Sequence, residues 1–283
     1  MQVLVTGGSG QIGQVLIANL LEHGHSAVSA DRRQPSLRSS DYRFVETDLS
    51  DVGQVAGAMR GCDAVVHLGA IPTAYQNPDE VVFTHNVSAT FAVFQAASLL
   101  GVRKVAFASS LAVIGTPYAT KPIFPLFVPI DETHPLLVQD PYGLSKEVDE
   151  RTGEMFHRRY GMQVAAMRFA LVSNHADLKA LCQRLTGKPS PSFLDRVLWS
   201  YVDVRDAASI LRLAIEADGL GFQAFVVAAN DALVDLPTGE LIRQYAPAVD
   251  IRAPIPGNQS AVSTAKAREL LGWNPQHSWR DAD

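Results

Sequence analysis

The chain reads as an α/β protein, a Rossmann-like doubly wound parallel sheet with a small C-terminal lobe, and three observations predict this. Short apolar runs rich in Val and Ala alternate with longer amphipathic stretches through the first half, the pattern of repeated βαβ units. A turn with glycines three apart follows the first apolar run at once, and further glycines stand where the amphipathic stretches should stop.

The strands are expected at residues 2–5, 27–30, 43–46, 64–68, 104–108 and 163–168. Their apolar positions are nearly continuous, as strands covered by helices on both faces require. Helical periodicity fills residues 11–22, 51–59, 79–100 and 142–159. Gly24, Gly61, Gly101 and Gly161 fall at the ends of these helices, where a glycine accepts the left-handed backbone that closes a helix. Between Gly115 and Pro141 stand Pro117, Pro122, Pro125, Pro129 and Pro135, which forbid a regular helix or a central strand. A long ordered loop over the site is expected there. Past Arg168 the period is irregular, and residues 176–198 and 222–283 are expected to build the smaller, partly helical lobe.

Composition excludes several classes. Hydrophobic residues make up 47% and charged residues 19% of 283, an ordinary globular balance. The formal net charge of -5, with no long run of Lys or Arg, argues against nucleic-acid binding and for a small-molecule partner. Cys62 and Cys182 are far apart and lack metal-ligand spacing, so two buried thiols and no metal are expected. The N-terminus lacks the features of a signal peptide and no apolar run is long enough to span a bilayer. A cytoplasmic protein with no membrane partner is the expectation.

The chemistry begins at the first turn, with Gly7, Gly10 and Gly13 opening a helix through Gln11 and Ile12. Glycines there let backbone N–H groups and the helix N-terminus approach a pyrophosphate. Asp31 stands 18 residues past Gly13 at the end of the second strand, where a carboxylate would bind the ribose hydroxyls of NAD. Arg32 and Arg33 follow directly and could instead pair with the extra phosphate of NADP. Asp48 and Leu49 fall where an adenine would rest, and Leu68, Gly69 and Ala70 fall beside the phosphates. His67 reads as a packed strand residue.

Tyr142 and Lys146 are four apart and so share one helix face. A nearby ammonium favours a phenolate, which brings the phenol toward the range of a general base. A serine after the fifth strand can hold a substrate hydroxyl. Ser110 is assigned that role, with Ser109 as the alternative because one residue of register decides.

With these motifs, and with Asp140-Pro141-Tyr142, the run Tyr201-Val202-Asp203, and Leu271-Gly272-Trp273, the chain resembles the extended short-chain dehydrogenases/reductases, the NAD-dependent epimerase/dehydratase family. The resemblance spans nearly the whole chain. It implies residues 1–170 as the dinucleotide-binding domain and 171–283 as mainly the substrate lobe, with segments around 201–230 returning to the core. It implies Tyr142 as proton-transfer residue, Lys146 as its partner, Ser110 as hydroxyl holder and Asn86 as support of a bound water. Arg168, Phe169 and Ala170 would pass the nicotinamide ring, and two copies would pair through the two long helices.

Two departures matter. Leu171 replaces the asparagine usual in nucleotide-sugar enzymes, and only 32 residues separate Arg168 from Tyr201. A Gly-Asp-Gly stretch is replaced by Leu194, Asp195, Arg196, Val197, Leu198 and Trp199. Both favour the uronate dehydrogenase side of the family, with Ile71 and Arg196 beside the substrate and Arg196 as a carboxylate clamp. The leading expectation is an NAD(P)-dependent oxidoreductase acting on a sugar or sugar-acid hydroxyl. A nucleotide-sugar epimerase with bound cofactor is the alternative. A non-catalytic nicotinamide sensor is the reading from another class, and the presence of both Tyr142 and Lys146 argues against it.

Overall fold

The computed structural model describes residues 1–35, 40–121, 123–185 and 196–282. The first half alternates β1 (Gln2–Thr6), α1 (Gln11–Glu22), β2 (Ser26–Asp31), β3 (Arg43–Glu46), α2 (Val52–Met59), β4 (Ala64–His67), α3 (Asp79–Leu100) and β5 (Lys104–Ser110). A 3-10 turn at Leu111–Ile114 and a short β6 (Phe127–Val128) lead to α4 (Pro141–Tyr160) and β7 (Gln163–Phe169). Then follow β8 (Leu171–Ser173), α5 (His175–Leu185), β9 (Tyr201–Asp203), α6 (Val204–Glu216), β10 (Phe222–Val227), α7 (Thr238–Tyr245), β11 (Asp250–Ile251) and α8 (Ala265–Leu271).

Seven strands form one sheet in the order β10-β7-β5-β4-β1-β2-β3, every pair parallel. Because side chains alternate along a strand, each strand feeds two cores. Val3, Val5 and Ala106 pack under α1 and α6, while Leu4, Val105 and Phe107 pack under α2, α3 and α4. Both faces are covered, which is why the strands lack polar alternation. The four expected closing glycines all have positive φ, from 65° at Gly161 to 76° at Gly24.

A third core builds the lobe. Here Val128 and Ile130, from the proline-rich stretch, join Trp199, Tyr201, Leu241, Ile255 and Val262. β6 pairs with β11, and β8 with β9, both in parallel. The proline-rich stretch is thus more than a cover for the site, since its short strand β6 is part of the lobe. Prolines leave it too irregular for a long strand, but two ladder positions between Phe127–Val128 and Asp250–Ile251 suffice. Residues 222–227, within the segments around 201–230 expected to return to the core although the irregular stretch from 222 was expected to build the lobe, form β10 at the edge of the main sheet beside β7. Leu194 and Asp195 lie outside the described residues.

Candidate active site

The predicted site residues gather at the C-terminal edge of the sheet, the end at which open α/β sheets bind ligands. Gly7, Gly10, Gln11, Ile12, Gly13, Leu68, Ala70, Ser109, Ser110, Tyr142, Lys146 and Phe169 line one cavity of about 360 Å³. Asp31, Arg32, Asp48, Leu49, Gly69, Ile71, Asn86 and Arg196 stand outside that lining.

One half of the cavity is backbone. Gly7 has φ +66°, and a Cβ on it would come within 2.7 Å of the Gly69 nitrogen. At Gly13 a Cβ would strike the Gly7 carbonyl and lie 2.7 Å from Gly8 Cα. The first turn of α1 therefore seats directly on the glycine turn. Its N-cap, Gly10, offers no side-chain cap, so the first N–H groups of the helix remain available for an anion. This cradle fits a dinucleotide pyrophosphate. Asp31 is fixed beside it, its carboxylate accepting from Ser9 N at 3.1 Å and from Arg33 N at 3.2 Å. Arg32 reaches Asp48 at 3.5 Å and His85 at 3.2 Å instead. Leu49 packs where a side chain on Gly69 would have to go.

The other half is side chains. Pro141 opens α4 behind the N-cap Asp140, which accepts from Gly143 N at 2.7 Å. This sets Tyr142 in the first helical turn, buried to 8% exposure. Ser110 ends β5, and its hydroxyl, which accepts from Ala112 N at 3.1 Å, lies beside the Tyr142 phenol and lowers its pKa. Ser109 points the other way and donates to Glu150 at 2.6 Å. Of the two serines left open by register, Ser110 is the one brought to the phenol.

The electrostatics differ from the expectation. Burial pushes the Tyr142 phenol up to about 12, with the Ser110 hydroxyl pulling it down and Asp149 and Asp140 pushing it further up. Lys146 is turned toward a carboxylate. The ammonium lies 5.9 Å from the phenol ring centroid and donates to the buried Asp149 at 3.3 Å. A lysine paired with a carboxylate presents nearly no net charge, so its pull on a neighbouring proton is cancelled.

Asn86 is fully buried, and both ends of its amide are engaged. It accepts from Ile71 N at 2.8 Å and donates to Ile71 O and Ser145 Oγ, both at 3.1 Å. It ties the segment after β4 to α4. The Arg196 guanidinium donates to the Ala119 carbonyl, and its own carbonyl accepts from Thr116 at 2.7 Å. Arg196 is thus held by the loop rather than aimed at the cavity. His67 is packed as expected, between Thr6 at 2.6 Å and Thr90 at 3.1 Å, with burial driving its pKa down to about 3.

Three residues escaped the sequence reading. Tyr118 lines the cavity and meets Tyr142 edge-on, ring centroids 5.6 Å apart. Glu150 binds Arg168 through two hydrogen bonds of 2.9 and 2.8 Å, both partners buried. Asp149 faces Lys146. A signal existed for the two carboxylates, since they lie three and four residues after Lys146 on the inward face that continues through Gly153 and Phe156. Among the described residues no cluster could hold a metal, and no helix is long and apolar enough to cross a membrane.

Comparison with known proteins agrees with this geometry. Residues 3–228 match the model of the NAD dependent epimerase/dehydratase family. A UDP-glucose 4-epimerase from Mycolicibacterium smegmatis is 30% identical over 98% of this chain and 94% of its own. A uronate dehydrogenase from Pseudomonas syringae pv. tomato is 30% identical over 59% of this chain and 58% of its own. A short-chain dehydrogenase/reductase superfamily protein from Agrobacterium tumefaciens, solved with bound NAD, shares the fold with a TM-score of 0.73 at 23% identity, covering 99% of this chain and 94% of that one. With sheet order, glycine turn and tyrosine helix all in agreement, the chain belongs to the NAD dependent epimerase/dehydratase family and is an NAD-dependent enzyme of the extended short-chain dehydrogenase/reductase type.

Proposed function

We propose that the protein is a dehydrogenase of a sugar or sugar-acid hydroxyl that uses NAD as exchangeable co-substrate and Tyr142 as proton-transfer residue. The observation that carries it is the Ser110–Tyr142 hydroxyl pair, set in the same cavity that the glycine turn lines. Backbone N–H groups around Gly7, Gly10 and Gly13 would hold the pyrophosphate, with Asp31 on the adenosine ribose, Asp48 and Leu49 on the adenine side, and Phe169 and Lys146 at the nicotinamide end. Bound there, NAD would supply the hydride acceptor. The fixed Asp31 carboxylate repels a ribose phosphate, and Arg32 is engaged by Asp48, which favours NAD over NADP. Ser110 would hold the substrate oxygen by hydrogen bond, and Tyr142, once ionised beside the positive nicotinamide of bound NAD, would take its proton as the carbon is oxidised. In reduction the same phenol returns the proton.

The short segment between Arg168 and Tyr201 supports a free sugar acid over a nucleotide sugar. A nucleotide-sugar 4-epimerase is the second reading, favoured by the full-length similarity to the mycobacterial epimerase. Incubation with NAD and a panel of hexuronates and aldoses, followed by the absorbance of reduced cofactor, separates them. Net reduction with at least one member is expected. No net reduction, with cofactor that survives gel filtration, would replace this reading by the epimerase. We further propose a homodimer through α3 and α4, whose exposed Phe91, Leu99, Leu100 and Leu144 need cover. The free thiols of Cys62 and Cys182 suit the cytoplasm.

A further inference from the structure

Behind the cavity, a string of buried polar groups joins the glycine turn to Lys146. Thr6 Oγ1 accepts from the backbone N–H groups of Leu68 at 3.3 Å and Gly69 at 3.4 Å, so its own proton points to His67 Nδ1 at 2.6 Å. His67 Nε2 therefore carries the ring proton and donates it to Thr90 Oγ1 at 3.1 Å. That leaves the Thr90 proton free to favour the Asp149 carboxylate. Every proton along the string thus points toward Asp149, an arrangement suited to an anion at its end.

Asp149 is fully buried, which raises its pKa against the pull of Lys146 and Thr90; its Oδ2 sits 3.3 Å from Lys146 Nζ, and its Oδ1 has no well-formed hydrogen bond. Such a pair adds little to stability, because desolvation offsets the attraction. A reason for keeping it must lie elsewhere.

We propose that Asp149 is a positioning residue that, at the end of this string, holds the Lys146 ammonium to itself and so sets the pH at which Tyr142 releases its proton. The inference rests on the proposed function only for the role of Tyr142. The surrounding charges isolate the pair. Asp149 is faced by Lys146 and Glu150 from its own helix and by Thr90 from α3, and Lys146 also acts on His67 of β4. The Glu150 charge is matched by Arg168 of β7. The phenol is faced by Ser110 of β5, by Tyr118 of the loop before β6 and by Asp140 at the start of α4.

Neutralising residue 149 removes one charge that raises the phenol and exposes another that lowers it. Both effects run downward. The test is the near-ultraviolet tyrosinate absorbance of the cofactor-free protein against pH, with the Tyr142 contribution isolated by subtracting Tyr142→Phe in each background. In Asp149→Asn, Tyr142 is expected to ionise about one to three pH units below its wild-type midpoint. Asp149→Ser should shift the same way and serves if the amide variant does not fold, while Asp149→Glu, which keeps the charge, should return the curve toward wild type. Coincident curves for wild type and the neutral variants, or an upward shift, would overturn the proposal. No cofactor or substrate enters this titration, so its failure leaves the sugar-dehydrogenase reading untouched.

Discussion

In the glycine turn between β1 and α1 the decisive contacts are between backbone atoms. Gly7 meets Gly69, and Gly13 meets the Gly7 carbonyl. On the inward face of α4 the reverse holds. Tyr142, Lys146, Asp149 and Glu150 form a row of buried side chains, each answered by a partner from another element or from the same helix. The first region works by having no side chains and tolerates no added atom. The second works by charge pairing, so it tolerates volume better than it tolerates an unanswered charge.

That contrast breaks most visibly at Glu150. Replacing it with Ala strands the Arg168 guanidinium, which is only 7% exposed, and should cost about 3–5 kcal/mol of stability in urea unfolding. A loss below about 1 kcal/mol would show that solvent reaches the arginine and that the row is not closed.

Protonation probes the same interior. The pKa of His67 falls from an ordinary 6.5 to about 3 in the folded state, so the unfolded chain binds the proton more readily. The stability this gives is complete above about pH 6.5 and is lost progressively as pH falls toward 3, by up to a few kcal/mol. His134 and His85 are shifted the same way and share the slope. In urea titrations across that window His67→Gln should flatten the dependence, and an unchanged slope would locate it elsewhere.

At the glycine turn, Gly13→Ala should weaken NAD binding about 100-fold, roughly 2.7 kcal/mol, as read by titration of reduced-cofactor fluorescence. Gly24→Ala is the control. Its φ of +76° makes it costly by about 1 kcal/mol, yet nothing lies near its Cβ and cofactor affinity should not change. Equal effects of the two on affinity would mean that the turn acts through stability alone.

The smallest effects separate the adjacent serines. Ser110→Ala should lower turnover about 10- to 100-fold, with a cost of about 0.5–1 kcal/mol from the lost cap on Ala112 N. Ser109→Ala should spare turnover and cost about 1–2 kcal/mol because Glu150 loses a buried donor. A swap of these phenotypes would reverse their assignment.

What could be read from the chain follows the same division. The parallel sheet and the glycine turn were legible because backbone demands map onto residue type: a positive φ calls for glycine, and a strand covered on both faces calls for unbroken Val and Ala. The Tyr142–Lys146 pair was legible from spacing. The direction in which the phenol shifts was not, because that depends first on how deeply the fold buries Tyr142 and then on Asp149 and Asp140 beside it. Arg196 was misplaced for a related reason. The path before β9 passes through Leu198 and Trp199 with φ of 52° and 54°, a left-handed course that no glycine announces. The β6–β11 pairing joins positions more than a hundred residues apart, Phe127 with Asp250, over just two residues, too short a run to show periodicity. Tyr118 reaches the cavity on a proline-rich path whose direction the prolines restrict without specifying.

The central claim is that the phenol of residue 142 moves the proton in a hydride transfer supported by the glycine turn. It is tested most directly by measuring NAD affinity and the rate of cofactor reduction together in Tyr142→Phe, with the best substrate of the sugar panel. The account predicts affinity within about twofold of wild type and turnover reduced about 10²- to 10⁴-fold. Turnover within about tenfold of wild type would contradict it.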